Sequence, residues 1–175
     1  MNIAFRLLAK EDASIYKDAR LNSYQHDPYA FSESYEDEKG KAASVFAEEL
    51  IIKGDPPEWF VLGAFSEKNE LTGFVKFRRD LRSKARHKSM IHAMYVHPEF
   101  RSFGVGKQLV DEAINRARNL NGLEQIHLWV LHSDLSNSAS DFYIKCGFER
   151  QGPLVKKDLK IGEAYIDAEY MVMHL

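Results

Sequence analysis

The spacing of apolar residues changes character several times along the chain, and each change marks an element. Ile3 to Leu8 mixes apolar and polar residues over strand length. From Asp12 to Tyr24, the positions Ile15, Tyr16, Ala19 and Ser23 recur near helical spacing behind an acidic start, which predicts a helix. Asp27-Pro28 interrupts it, residues 29–35 read as a loop, and Ala42 to Lys53 reads as a second helix. Gly54-Asp55-Pro56-Pro57 is the strongest break in the chain. Past it, Trp59 to Phe65 and Leu71 to Arg78 are strands joined by the turn Ser66 to Glu70, a hairpin. Asp80 to His87 is a charged connection.

Met90-Ile91-His92-Ala93-Met94-Tyr95-Val96 is the central strand. It stops at His97-Pro98, because proline lacks the amide a ladder needs and biases its predecessor away from helix. Val105, Leu109, Val110, Ala113, Ile114 and Ala117 then return to a 3.6-residue period, and Asn121-Gly122 ends that helix. Glu124 to His132 is a strand, Leu135 to Cys146 a helix closed by Gly147, Phe148 opens another strand, and Ala164 to His174 is the last. A central β-α-β crossover within this order predicts one α/β (α+β) domain over residues 1–175. Its sheet should be mixed, mostly antiparallel, with about seven strands flanked by helices.

Composition narrows the class. With 45% hydrophobic residues and no apolar run near membrane-span length, the chain reads as soluble rather than membrane-bound. A net charge of −2 argues against nucleic-acid binding driven by bulk charge. A single cysteine rules out an internal disulfide framework and favours a reducing compartment, so a cytoplasmic location is expected.

The candidate chemistry starts at Arg101-Ser102-Phe103-Gly104-Val105-Gly106-Lys107. Two glycines at a strand-to-helix turn let backbone amides face outward, and the helix N-terminus adds partial positive charge. That is a seat for a pyrophosphate. A dinucleotide turn would want a third glycine where Leu109 stands, and a P-loop would want Ser or Thr where Gln108 stands. The pattern Val96-x-Pro98-x-x-Arg101-x-x-Gly104-Val105-Gly106 instead resembles the acetyl-CoA signature of the GNAT superfamily of N-acetyltransferases. Ala139-x-x-Phe142-Tyr143-x-Lys145-Cys146-Gly147-Phe148 resembles the second signature of that family, at the distance the family shows. The family's asparagine position holds Ser136, with Asn137 one residue late, so Ser136, Asn137 or Asp134 is the candidate contact to the pantetheine arm.

The resemblance implies acetyl-CoA as co-substrate, no metal, and a central strand that splays from its parallel neighbour after a bulge near His92 to Tyr95. The amides of Met94 and Val96, either side of Tyr95, would meet the pantetheine and thioester. Amides from Ser102 through Phe103, Gly104, Val105, Gly106 and Lys107 would hold the pyrophosphate, with Arg101 and Lys107 adding charge. Tyr143 matches the proton donor to the leaving sulfur, a role that suits a phenol with a pKa near ~10. The general base is open between His92, His132 and a water.

Other readings of these residues are weaker. His87, His92 and His97 are five apart, an odd spacing that alternates faces on a strand and does not converge on a metal. Cys146, late in a helix, reads as a small buried thiol. Charge is unevenly spread. Nine acidic residues fall between Asp27 and Glu58, and seven basic ones between Lys76 and Lys88. The acidic region would attract a cationic amine, and the basic one would serve the adenosine phosphate, an anionic substrate group, or solubility alone. Tyr29, Phe31 and Tyr35 are candidate walls of the acceptor pocket. The expected function is acetyl transfer to a small primary amine in a ternary complex. A protein or peptide Nα-acetyltransferase and a non-catalytic acyl-CoA sensor are the alternatives. The edge potential of the final strands makes a homodimer compatible with the sequence.

Overall fold

Gly54–Pro57 separates a mostly helical first part from a second part that supplies seven of the eight strands. In the computed structural model, which describes residues 2–132 and 138–175, the first part gives Ala4–Leu7 (β1), Ala13–His26 (α1), Tyr35–Glu38 (α2) and Ala43–Glu49 (α3). Trp59–Phe65 (β2), Leu71–Arg79 (β3), Lys88–Val96 (β4), Val105–Arg118 (α4) and Gln125–His132 (β5) follow. Ser138–Lys145 (α5), Glu149–Arg150 (β6), Val155–Ile161 (β7) and Ala164–His174 (β8) complete the chain. The eight strands form one sheet in the order β1-β2-β3-β4-β5-β8-β6, with β7 also on β8. Among the described residues only β4 and β5 run parallel.

The near-continuous apolar runs of β2 and β3 are explained by burial on both faces. Phe60, Leu62 and Ala64 pack under α4 with Leu109, Val110 and Ala113. Val61 and Phe65 point the other way, into a second core with Tyr16 of α1, Phe46 of α3 and Phe74. Fully burying side chains of this size is worth roughly 1.5–3 kcal/mol each, so the two cores outweigh the surface ion pairs, worth about 1 kcal/mol or less apiece. The α4 stripe lies where its spacing placed it.

Helix α1 departs from its expected face. Ile15 is exposed, while Arg20 is buried. The guanidinium is tolerated there because it is matched: Arg20 Nη1 donates to Glu49 Oε2 at 2.9 Å and to the Tyr16 hydroxyl at 3.0 Å. Lys76 Nζ on β3 reaches the same Glu49 oxygen at 2.7 Å. One carboxylate thus ties α1, α3 and the sheet together.

Three boundaries differ from expectation. The second helix ends at Glu49 rather than Lys53, because Lys53 bridges to Trp59. The loop over 29–35 gives way to a short helix, where Ser34 Oγ accepts from the Asp37 amide at 3.2 Å. Strand β7 was not anticipated: four of its seven residues are Lys or Asp, and it pairs only with β8. With β6 only two residues long, the count becomes eight strands. The expected start of the last helix at Leu135 lies outside the described residues.

Candidate active site

Strands β4 and β5 pair over only three residues, Lys88 with Gln125, Ser89 with Ile126 and Met90 with His127. Then they part. The cause is on the other edge of β4: Lys76 pairs with Ala93 and Phe77 with Ile91, so His92 is one residue too many. Such a bulge bends its strand and increases its twist. From there β4 follows β3 up to the pairing of Gly73 with Val96, while β5 stays with β8.

The parting leaves donors on the open edge. The His97 amide donates to Thr72 O at 2.8 Å, toward β3. Alternate amides of a strand point to opposite edges. Tyr95 and Ala93 therefore also face β3, and the amides of Met94 and Val96 face the cleft. A cavity of about 120 Å³ opens there, lined among others by Phe31, His92, Ala93, Met94, Trp129 and Tyr143. The structure thus brings Tyr143, His92 and Phe31 to one place.

Tyr143 sits edge-on between Phe142 and Phe148, with ring centroids 5.1 and 5.6 Å away. Its hydroxyl donates to Met94 Sδ at 3.5 Å, a weak acceptor. Burial pushes this phenol far above its ordinary pKa, so it stays protonated at any working pH. His92 keeps part of its surface open to the cavity. Desolvation, followed by the charges of Lys76 and Arg78, nevertheless lowers its pKa from 6.5, with Glu33 opposing. It is therefore a neutral imidazole, able to accept a proton, at neutral pH.

At the far end of β4 the two glycines do different work. Gly104 adopts φ +77° and its carbonyl accepts from the Gln108 amide at 3.1 Å. The amides of Val105, Gly106 and Lys107 precede the first intrahelical donor, and no side chain caps them. Gly106 is an ordinary helical residue whose absent side chain matters for space. A Cβ there would lie 3.0 Å from Met94 Cε and 3.6 Å from the Phe142 ring. Because a left-handed residue with a side chain costs about 1–2 kcal/mol, Gly104→Ala should lower urea-unfolding stability by about that amount. Gly40→Ala, with negative φ and open space around it, should not.

Other nominated residues stand elsewhere. Arg101 turns back from the turn: its Nε donates to Val96 O at 2.9 Å and its guanidinium pairs with Asp27. Lys107 pairs with Asp111 on α4 at 2.6 Å. Ser102 has φ +66°, Phe103 is exposed and Val105 is buried. The Tyr95 side chain lies on the α1 face, its hydroxyl 2.7 Å from His26 Nδ1. Tyr29 is on the surface, and Tyr35 packs toward α1 under the Lys39 ammonium. Neither lines the cleft cavity. His132 lines no described cavity either. It lies 3.0 Å from Ser140 Oγ and 3.4 Å from Glu169 Oε2, in a polar cluster under α5. Asp134, Ser136 and Asn137 lie outside the described residues. Trp129 was missed, although β5 signalled it: Ile126, Leu128 and Val130 alternate inward, which leaves Trp129 exposed on the face opposite α4.

A parallel strand pair parted by a bulge, with a glycine-turned helix behind and a tyrosine and a histidine lining one cavity, is the arrangement of an N-acetyltransferase. The chain belongs to the acetyltransferase (GNAT) family, whose sequence pattern matches residues 16–148. It is 24% identical over 151 residues to the L-methionine sulfoximine/L-methionine sulfone acetyltransferase of Pseudomonas aeruginosa PAO1, covering 81% of this chain and 85% of that protein. A GNAT-family acetyltransferase from Streptococcus pneumoniae superposes with a TM-score of 0.80 at 21% identity, over 99% of this chain and 100% of the other. The phosphinothricin acetyltransferase of Sinorhizobium meliloti, solved with acetyl-CoA, gives 0.81 at 21% identity, over 100% of this chain and 89% of that one.

Proposed function

We propose that the protein transfers the acetyl group of acetyl-CoA to the primary amine of a small molecule by direct attack in a ternary complex. The observation that carries this reading is the cleft after Met90, where donors, phenol and imidazole meet. The side-chain-free turn at Gly104 and the uncapped amides of Val105 to Lys107 suit a diphosphate. The Met94 and Val96 amides suit the pantetheine arm and the thioester oxygen on which negative charge develops. The named activities of the relatives, on methionine sulfoximine and phosphinothricin, favour a small acceptor over a protein N-terminus.

The chemistry then needs little more than placement. The amine nitrogen attacks the thioester carbon, its proton passing to His92 directly or through a water. The carbon–sulfur bond breaks, the Tyr143 hydroxyl protonates the departing sulfur, and free coenzyme A and the N-acetyl product leave; the phenol regains a proton from solvent as His92 releases the one it took. Phe31 and Trp129 wall the acceptor side.

Thiol release from acetyl-CoA across a panel of small amines tests the reading. Turnover supports it, and saturable acetyl-CoA binding with no turnover on any amine would make the chain a binding module instead. With His92 as base, kcat/KM should rise along an acid limb whose midpoint lies below 6.5. His92→Gln should remove that limb and cost about 100-fold. An unchanged profile would assign the base to water.

A further inference from the structure

His92 lines a second, larger cavity on the side away from α4, of about 510 Å³, and this one is basic. Arg78, Arg79, Arg82 and Lys88 line it, together with His127. Two of these charges are engaged. Arg79 pairs with Glu58, and Arg82 locks the one acidic lining residue, Asp80. Arg78 and Lys88 have no carboxylate partner among the described residues. Arg78 instead lies over the Trp59 ring, 4.6 Å from its centroid.

We infer that this cavity is a second subsite for the acceptor, and that the amine acetylated in the cleft carries an oxyanion, held by Arg78 and Lys88. The inference rests on the function proposed above and names its substrate class. Position argues for the acceptor rather than for the coenzyme's phosphates. Lys88 opens β4 and Val96 closes it, so Lys88 stands eight residues, about 26 Å of strand, and Arg78, opposite Met90, six residues, about 20 Å, from the end that leads into the glycine turn. Spacing sets the size. Arg78 pairs with Met90, two residues or about 7 Å from His92, which fits a small amino acid and repels polyamines along their length. The same charges act on the neighbouring imidazoles. After burial, Lys76 and Arg78 lower the pKa of His92, and Lys88, His174 and His87 that of His127.

Free α-amino and ω-amino acids, each paired with its carboxamide, provide the test. The wild type should prefer the acid by about 30-fold in kcat/KM, the effect of one charge-assisted hydrogen bond. Arg78→Gln and Lys88→Gln should each bring that acid-to-amide ratio toward one, with melting temperature and acetyl-CoA affinity checking that the variants fold. Equal wild-type turnover of acid and amide, or an unchanged ratio in both variants, would overturn the inference while leaving acetyl transfer intact. Should no amine be turned over, the function proposed above fails instead. The cavity is then tested by titrating 5-aminopentanoate against the His92 and His127 imidazole NMR signals. Shifts that Arg78→Gln abolishes support the oxyanion subsite, and no shift overturns it.

Discussion

Tyr143→Phe should lower kcat about 100-fold or more while leaving the KM for acetyl-CoA little changed. The ring is held by Phe142 and Phe148, and the substitution removes only the hydroxyl. That hydroxyl's recorded acceptor is the thioether of Met94, so its loss strands no strong partner and the fold should be unaffected. A stability effect would therefore argue for a structural tyrosine. The high pKa makes the phenol a poor acid toward water but leaves it fully protonated when a thiolate departs beside it. Rapid-quench measurement of the acetyl-transfer step, against steady-state kcat, would place the defect in the chemistry. A kcat within threefold of wild type would remove Tyr143 from the mechanism.

Glu49→Ala is the substitution expected to damage the fold most, by roughly 3 kcal/mol, because it leaves the buried Arg20 guanidinium without its carboxylate. Lys76 loses its partner in the same step. Burial opposes ionisation of Glu49, but Arg20, Lys76 and the Tyr16 hydroxyl overcome it and hold its pKa below the ordinary range. Its contribution is therefore complete above the unfolded carboxylate value of about 4.3 and is lost as pH falls through the lower folded value. Urea unfolding of wild type and Glu49→Ala at pH 7 and at acid pH measures both effects. The gap between them should narrow as acid protonates the wild-type carboxyl. A gap of under 1 kcal/mol at pH 7 would contradict the role given to this residue.

The legible parts of the chain were those where local chemistry and tertiary packing agree. The α4 stripe, the stop at His97-Pro98 and the hairpin of β2 with β3 follow from spacing and breakers, and the structure repeats them. Where a long-range partner changes a residue's character, the pattern misled. Arg20 is buried because Glu49, distant in sequence, neutralises it, and nothing in the spacing of α1 announces that. Strand β7 goes unassigned from sequence because four of its seven residues are charged, and what makes it a strand is its pairing with β8. At the site, the structure puts His92 and Tyr143 on one cavity and Gly104 at the head of α4, placements that follow from their elements. The pairing of Arg101 with Asp27, 74 residues away, has no local pattern to announce it, whereas Lys107 pairs with Asp111 one turn along α4. Tyr29 and Tyr35 were nominated for being aromatic in an acidic loop, yet of that trio only Phe31 reaches the cleft.

Titrating the protein with acetyl-CoA while following backbone amide NMR signals addresses the arrangement most directly. Saturable binding with the largest shifts at Met94, Val96 and Val105 to Lys107 is the predicted result. No saturation, or shifts confined to other parts of the sheet, would contradict it.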